Sequence, residues 1–167
     1  DAVREALAYN GPVYLRLYRE STHVSNSLDL PALAIGKIRQ LSRGKDAVIF
    51  ATGLMVEIAL RASQELRKDY INAAVIDCAS IKPLDVDGIL SVIYQSKTVI
   101  TAENHSIVGG LGSAIAEVIA SNNITRPFFR VGVQDCFAEG GSRNFLFKKY
   151  GLTADDIIAK VKEGLAK

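Results

Sequence analysis

The strongest constraint on this chain is an alternation. Short runs of apolar residues are separated by stretches whose apolar residues recur at helical spacing. Ala47–Ala51 (AVIFA), Ala73–Ile76 (AAVI), Thr98–Ala102 (TVITA) and Phe128–Val133 (FFRVGV) read as strands, the first of a kind buried on both faces. After Gly53, the positions Val56, Ala59, Leu60 and Leu66 fall on one helical face. Pro83 interrupts the chain, and Asp85 can cap a helix carrying Val86, Ile89, Leu90, Ile93 and Tyr94. Leu111, Ile115, Val118 and Ile119 form a third stripe. Strands separated by helices imply crossovers and a mostly parallel sheet. The expected fold is therefore α/β, a three-layer α/β/α sandwich with about five strands.

The flanks are less regular. Val13–Tyr18 (VYLRLY) follows the punctuating Gly11-Pro12 and reads as a strand, and Ala32–Gln40 is a further strand candidate. The polar stretch Arg19–Asp29 (RESTHVSNSLD) reads as a linker between an N-terminal remnant, residues 1–28, and a main domain, residues 29–167. Near the C-terminus a helix over Ser142–Tyr150 should stop at Gly151, with Lys148 and Lys149 placed favourably at its end. Thr153 then caps a last helix, with Asp155 and Asp156 in its first turn and Ile157, Ile158, Val161 and Leu165 as its buried stripe. The opening DAVREALAYN has neither an initiator Met nor the basic and apolar regions of a signal peptide, and it reads like the middle of a helix cut from a longer chain.

Composition removes several classes of function. With 167 residues, 49% hydrophobic and 23% charged, the chain suits one compact domain. A net charge of +2, spread along the chain, argues against a dedicated nucleic-acid binder. No run of about 18 apolar residues exists to span a membrane. Cys78 and Cys136 are too few for a disulfide framework and read as half-buried small residues of a cytoplasmic protein. With no CxxC pair and only His23 and His105, no zinc site is expected.

Four groups could carry chemistry. Gly109-Gly110-Leu111-Gly112 lies between a strand and a helix, where free N–H groups can cradle a phosphate. It lacks GxGxxG spacing, and a tight turn for close helix packing explains it equally. Glu103-Asn104-His105 follows the same strand, at the carboxyl end where α/β sheets bind ligands. Glu103 and His105 there suit either an acid/base pair or bracing and interface contacts. Ser63, Ser80 and Ser113 lack a nucleophile elbow, and Asp77, Asp135 and Glu139 lack metal-ligand spacing. Arg16 and Arg19 sit at the end of VYLRLYRE, where a guanidinium can grip a phosphate. Their spacing puts them on opposite faces of an extended strand, so local chemistry alone favours surface ion pairs over one clamp.

Several stretches together resemble the C-terminal region of transketolase-type thiamine-diphosphate enzymes. They are GPVYLRLYRE (11–20), GKDAVIFATG (44–53), AAVIDCASIKPLD (73–85), TAENHSIVGGLGSAIAEVIA (101–120) and KKYGLTADDI (148–157). They run in family order over nearly the whole chain. ENHSIVGGLGS followed by KKYGLTADDI favours the transketolase or deoxyxylulose-phosphate synthase branch over 2-oxoacid dehydrogenase beta subunits. The resemblance implies a C-terminal domain preceded, over 1–28, by the tail of the pyrimidine-binding domain. It implies partnership with the N-terminal section or domains of the same enzyme, a homodimer, and sugar phosphates as substrates. Thiamine diphosphate and a divalent metal such as Mg would serve the intact enzyme and bind outside this chain, because no GDG-type motif is present; Val86-Asp87-Gly88 starts a helix and lacks the later Asn. No catalytic residue is carried over, so the chain alone should be inactive. Arg19 matches the family's phosphate-gripping arginine, whereas Arg16 matches a strand position without that role. The ENHSIVGG loop, with Glu103, Asn104, His105, Gly109, Gly110 and Gly112, matches a region of domain and subunit contacts. A different reading, a regulatory module binding an anion or a partner at Gly109–Gly112, also stands.

Overall fold

The computed structural model describes residues 1–18 and 32–167. Its centre is a five-stranded sheet of order β1-β3-β2-β4-β5, built from β1 (Arg39–Ser42), β2 (Ala47–Ala51), β3 (Ala73–Asp77), β4 (Thr98–Ser106) and β5 (Phe128–Val133). β1 is an antiparallel edge strand; the other pairings are parallel. The helices are α1 (Ala2–Ala8), α2 (Met55–Lys68), α3 (Val86–Ile93), α4 (Leu111–Ser121), α5 (Arg143–Lys149) and α6 (Ala154–Leu165).

Alternation along the central strands feeds two cores. Ala47, Ile49 and Ala51 of β2 point to one face, with Ala73 and Val75 of β3, and meet Met55, Ala59 and Leu66 of α2 and Ile157 and Val161 of α6. Val48 and Phe50, with Ala74 and Ile76, meet Ile89 and Ile93 of α3 and Leu111, Ile115 and Val118 of α4 on the other face. Both faces of β2 and β3 are thus covered, which is why their sequences are continuously apolar. The result is the expected three-layer α/β/α sandwich.

The helix ends follow the expected chemistry. Asp85 caps α3 by accepting from Gly88 N, and Thr153 and Asp156 form a reciprocal capping box on α6. Ser142 caps α5 through Phe145 N, and Lys148 and Lys149 lie in its last turn. Two positions expected on the α3 stripe, Val86 and Tyr94, are exposed.

Three further expectations change. Val13–Tyr18 is not a strand: no other strand pairs with it among the described residues, and Tyr14 and Leu17 are exposed. Only the end of Ala32–Gln40 enters the sheet, as the start of β1. Glu103, Asn104 and His105 do not follow β4 but lie inside it, because the strand continues to Ser106. The proposed linker, Arg19–Asp29, lies wholly outside the described residues.

Candidate functional site

The carboxyl ends of β2 and β4 flank the point where the chain, having wound through β3, returns to the other side of β2. Crevices at such reversals are where open α/β sheets bind ligands. Here the crevice is filled from within. Glu103 is 1% exposed, and its two carboxylate oxygens accept from Leu111 N and Gly112 N, each at 2.8 Å. The N-terminus of α4 therefore already holds an anion, supplied by its own chain. Leu111 and Gly112 are not free to cradle a phosphate unless Glu103 is displaced.

The glycines make this seat. A Cβ on Gly110 would lie 1.9 Å from Glu103 Oε2, and one on Gly112 would lie 2.8 Å from Arg130 Cδ. Gly109, at φ 76°, makes the left-handed turn into the helix. Ser113 Oγ accepts from Gly109 N at 2.9 Å and donates to the Ile107 carbonyl at 3.2 Å. Arg130 Nη1 donates to that same carbonyl at 3.0 Å. Neither Ser113 nor Arg130 stood out in the sequence as a bracing residue. Arg130 is the sole charged residue of FFRVGV, a weak signal that it serves something other than the core.

His105 belongs to the surface. Its side chain is 48% exposed, and Nδ1 lies 2.8 Å from the Ser106 carbonyl, to which it can only donate. Its distance to Glu103 Oε2 is 4.0 Å. With both Glu103 oxygens engaged and buried, the two side chains do not form a proton-transferring pair. β4 also bulges at this point. The registered pairs Ala102↔Val131 and Ser106↔Val133 mean that β4 advances four residues while β5 advances two. The bulge leaves the Asn104 carbonyl to accept from Arg16 Nη2, at 3.5 Å.

The other candidates take structural places. Asp77 pairs with Arg39, at 2.5 Å to Nη2, and Glu139 pairs with Lys149. Burial pushes the Cys78 thiol far up, helped by Asp77 and Asp85, so Cys78 is not a nucleophile. Cys136 is exposed rather than half-buried. At the opposite end of the sheet a shallow hollow gathers Lys45, Lys97 and Arg126. Lys97 is held by Asp46, and Arg126 donates to the Ser96 and Thr125 carbonyls. Among the described residues no group of three His, Cys, Asp or Glu side chains could hold a metal ion, and no helix is long and apolar enough to cross a membrane. With its donors engaged by Glu103, the N-terminus of α4 does not fit a diphosphate. Arg19 lies outside the described residues.

Comparison with known proteins follows the same lines. Residues 36–157 match the family described as "Transketolase, C-terminal domain". The chain is 40% identical, over all of its length and 52% of the relative's, to a putative transketolase C-terminal section of Methanocaldococcus jannaschii. It is 41% identical, over 97% of its length and 50% of the relative's, to a 6-deoxy-6-sulfo-D-fructose transketolase subunit of a Clostridium species. A 1-deoxy-D-xylulose-5-phosphate synthase of Heliobacterium modesticaldum is 36% identical over 96% of the chain and 25% of its own. Among solved structures, a split-gene transketolase described as an inactive beta4 tetramer superposes with a TM-score of 0.91 at 41% identity, covering 99% of this chain and 54% of that one. The chain thus spans about half the length of the first two of these curated relatives.

Proposed function

The chain belongs to the transketolase family, of which it carries the C-terminal domain, and from that premise we propose that it works as the C-terminal part of a two-carbon ketol transferase. The intact enzyme moves the ketol unit from a ketose phosphate to an aldose phosphate. Thiamine diphosphate with a divalent metal supplies the carbanion chemistry when bound, and we assign both to the remainder of the enzyme. This domain contributes assembly, and Arg19 anchors the substrate's terminal phosphate.

The observation that carries the reading is Glu103. Its carboxylate takes the Leu111 and Gly112 donors at the α4 N-terminus and fills a potential anion site. With that position taken, we read the domain as supporting neighbours rather than reacting groups. The same occupancy weakens the regulatory-module alternative, which needs the α4 donors free. We extend self-association and dependence on a complementary section to this chain from the split-gene relative described as an inactive beta4 tetramer.

Arg19 suits a terminal oxyanion because a planar guanidinium offers paired donors. The sulfo-fructose transketolase subunit among the relatives makes a sulfonate the second candidate for that position. Arg19→Ala in the intact enzyme should raise KM for phosphorylated sugars roughly 10- to 150-fold and leave unphosphorylated sugars nearly unchanged. Steady-state kinetics on matched sugar pairs measure this, and equal effects on both would refute the anchor.

A further inference from the structure

We propose that the loop between β5 and α5 is a docking site for the complementary section of the enzyme, with the bare Phe137 ring as its central contact. The inference rests on reading the chain as the C-terminal part of a larger enzyme. Phe137 is 104% exposed, the most of any large apolar side chain among the described residues. It contributes no burial to this domain, and association is what removes such a ring from water. Two further apolar side chains widen the patch. Phe145, also exposed, lies against the end of the same loop, since a Cβ on Gly141 would meet its ring at 2.7 Å. Val108 is exposed too, and it follows Ile107, whose N–H donates to the Val133 carbonyl at 3.0 Å where the loop leaves β5.

The loop is braced. Glu139 N donates to the Tyr150 hydroxyl at 3.1 Å, and the Glu139 carboxylate pairs with Lys149, which ties the loop to the far end of α5. Gln134 Nε2 donates to the Gly132 carbonyl at 3.1 Å, at the loop's start. A ring presented on a braced loop loses little freedom on docking, and aromatic side chains are prominent among the few residues that dominate an interface. The place of the patch selects its occupant. β2, β3, β4 and β5 run parallel, so the β4–α4 and β5–α5 loops share the carboxyl edge of the sheet. The chain enters the sheet at that same edge. β1 runs antiparallel with Arg39 opposite Asp77, at the end of β3, and Gly36 N donates to Ser80 Oγ at 3.0 Å. The first two curated relatives are about twice as long as the section this chain matches, and the rest of such an enzyme reaches this domain from the edge that carries Phe137. The complementary section therefore presents an apolar pocket to the ring. Tyr70, 92% exposed between α2 and β3, lies at the opposite edge and serves as the comparison.

The test titrates the complementary section into this chain by calorimetry. Phe137→Ala should raise Kd by about 30-fold or more, the size of an interface hot spot, and Tyr70→Ala should leave Kd unchanged. The unfolding midpoint of the isolated chain should be the same for Phe137→Ala as for the wild type. An unchanged Kd in Phe137→Ala, an equal rise in Tyr70→Ala, or a lowered midpoint in Phe137→Ala would overturn the docking role. A loss confined to self-association of this chain, followed by sedimentation, would assign the patch to a second copy and overturn it as well. The wild-type titration separates the two ideas. If the wild type binds and Phe137→Ala binds equally well, the docking site fails and the reading of the chain as part of a larger enzyme stands. If the wild type does not bind, that reading fails, and the docking site with it.

Discussion

Glu103 and Gly110 form a two-residue device that is stronger than either suggests alone. Removing the carboxylate leaves two helix N–H groups without partners in a buried place, at a cost of about 2–4 kcal/mol. Glu103→Ala should lower unfolding stability by that much in a denaturant titration. Gly110→Ala should also destabilise, because its Cβ meets the carboxylate at 1.9 Å. It should cost far less in the Glu103→Ala background, where the carboxylate is gone; additive losses would show that the two do not share a seat. None of this was legible beforehand. Sequence spacing places Glu103 at a strand end but does not say whether its carboxylate turns outward to a ligand or inward to its own helix. The ambiguity arose because helix caps are usually sought beside the helix, and this one comes from the preceding strand.

At the scale of elements, the strands and helices were readable wherever one face had to be buried. AVIFA, AAVI and TVITA fell into the sheet and the helical stripes fell against it. VYLRLY has the right alternation but no pairing neighbour among the described residues, and a strand exists only when paired. The extension of β4 was missed because ENHS is polar, and the bulge there tolerates it. The start of α3 makes a pH-dependent prediction. Burial of Asp85 favours its neutral form, but the Ile38 N–H, the Lys37 ammonium and the Gly88 N–H outweigh it and hold the carboxyl below its ordinary 3.8. A carboxyl depressed in the folded state contributes stability above its unfolded pKa, and that contribution is lost as pH falls through the folded value. Asp85→Asn should therefore destabilise at neutral pH, and its deficit should shrink below about pH 4. A deficit independent of pH, in denaturant titrations across that range, would show that Asp85 acts by shape alone.

For the whole molecule, the lesson lies in what the domain keeps closed. Both faces of the central sheet are covered, the N-terminus of α4 is occupied by Glu103, and the described residues gather no metal-binding group. The family and fold were legible because five stretches matched in order. The functional share of this chain was harder to read, because Arg19, which we propose as the phosphate anchor, lies outside the described residues. The most direct measurement compares ketol transfer from a ketose phosphate to an aldose phosphate, with thiamine diphosphate and Mg²⁺ supplied, for this chain, for the complementary section, and for the two mixed. The account predicts turnover in the mixture and none from this chain alone. Turnover by this chain alone, or a mixture no more active than the complementary section, would contradict it.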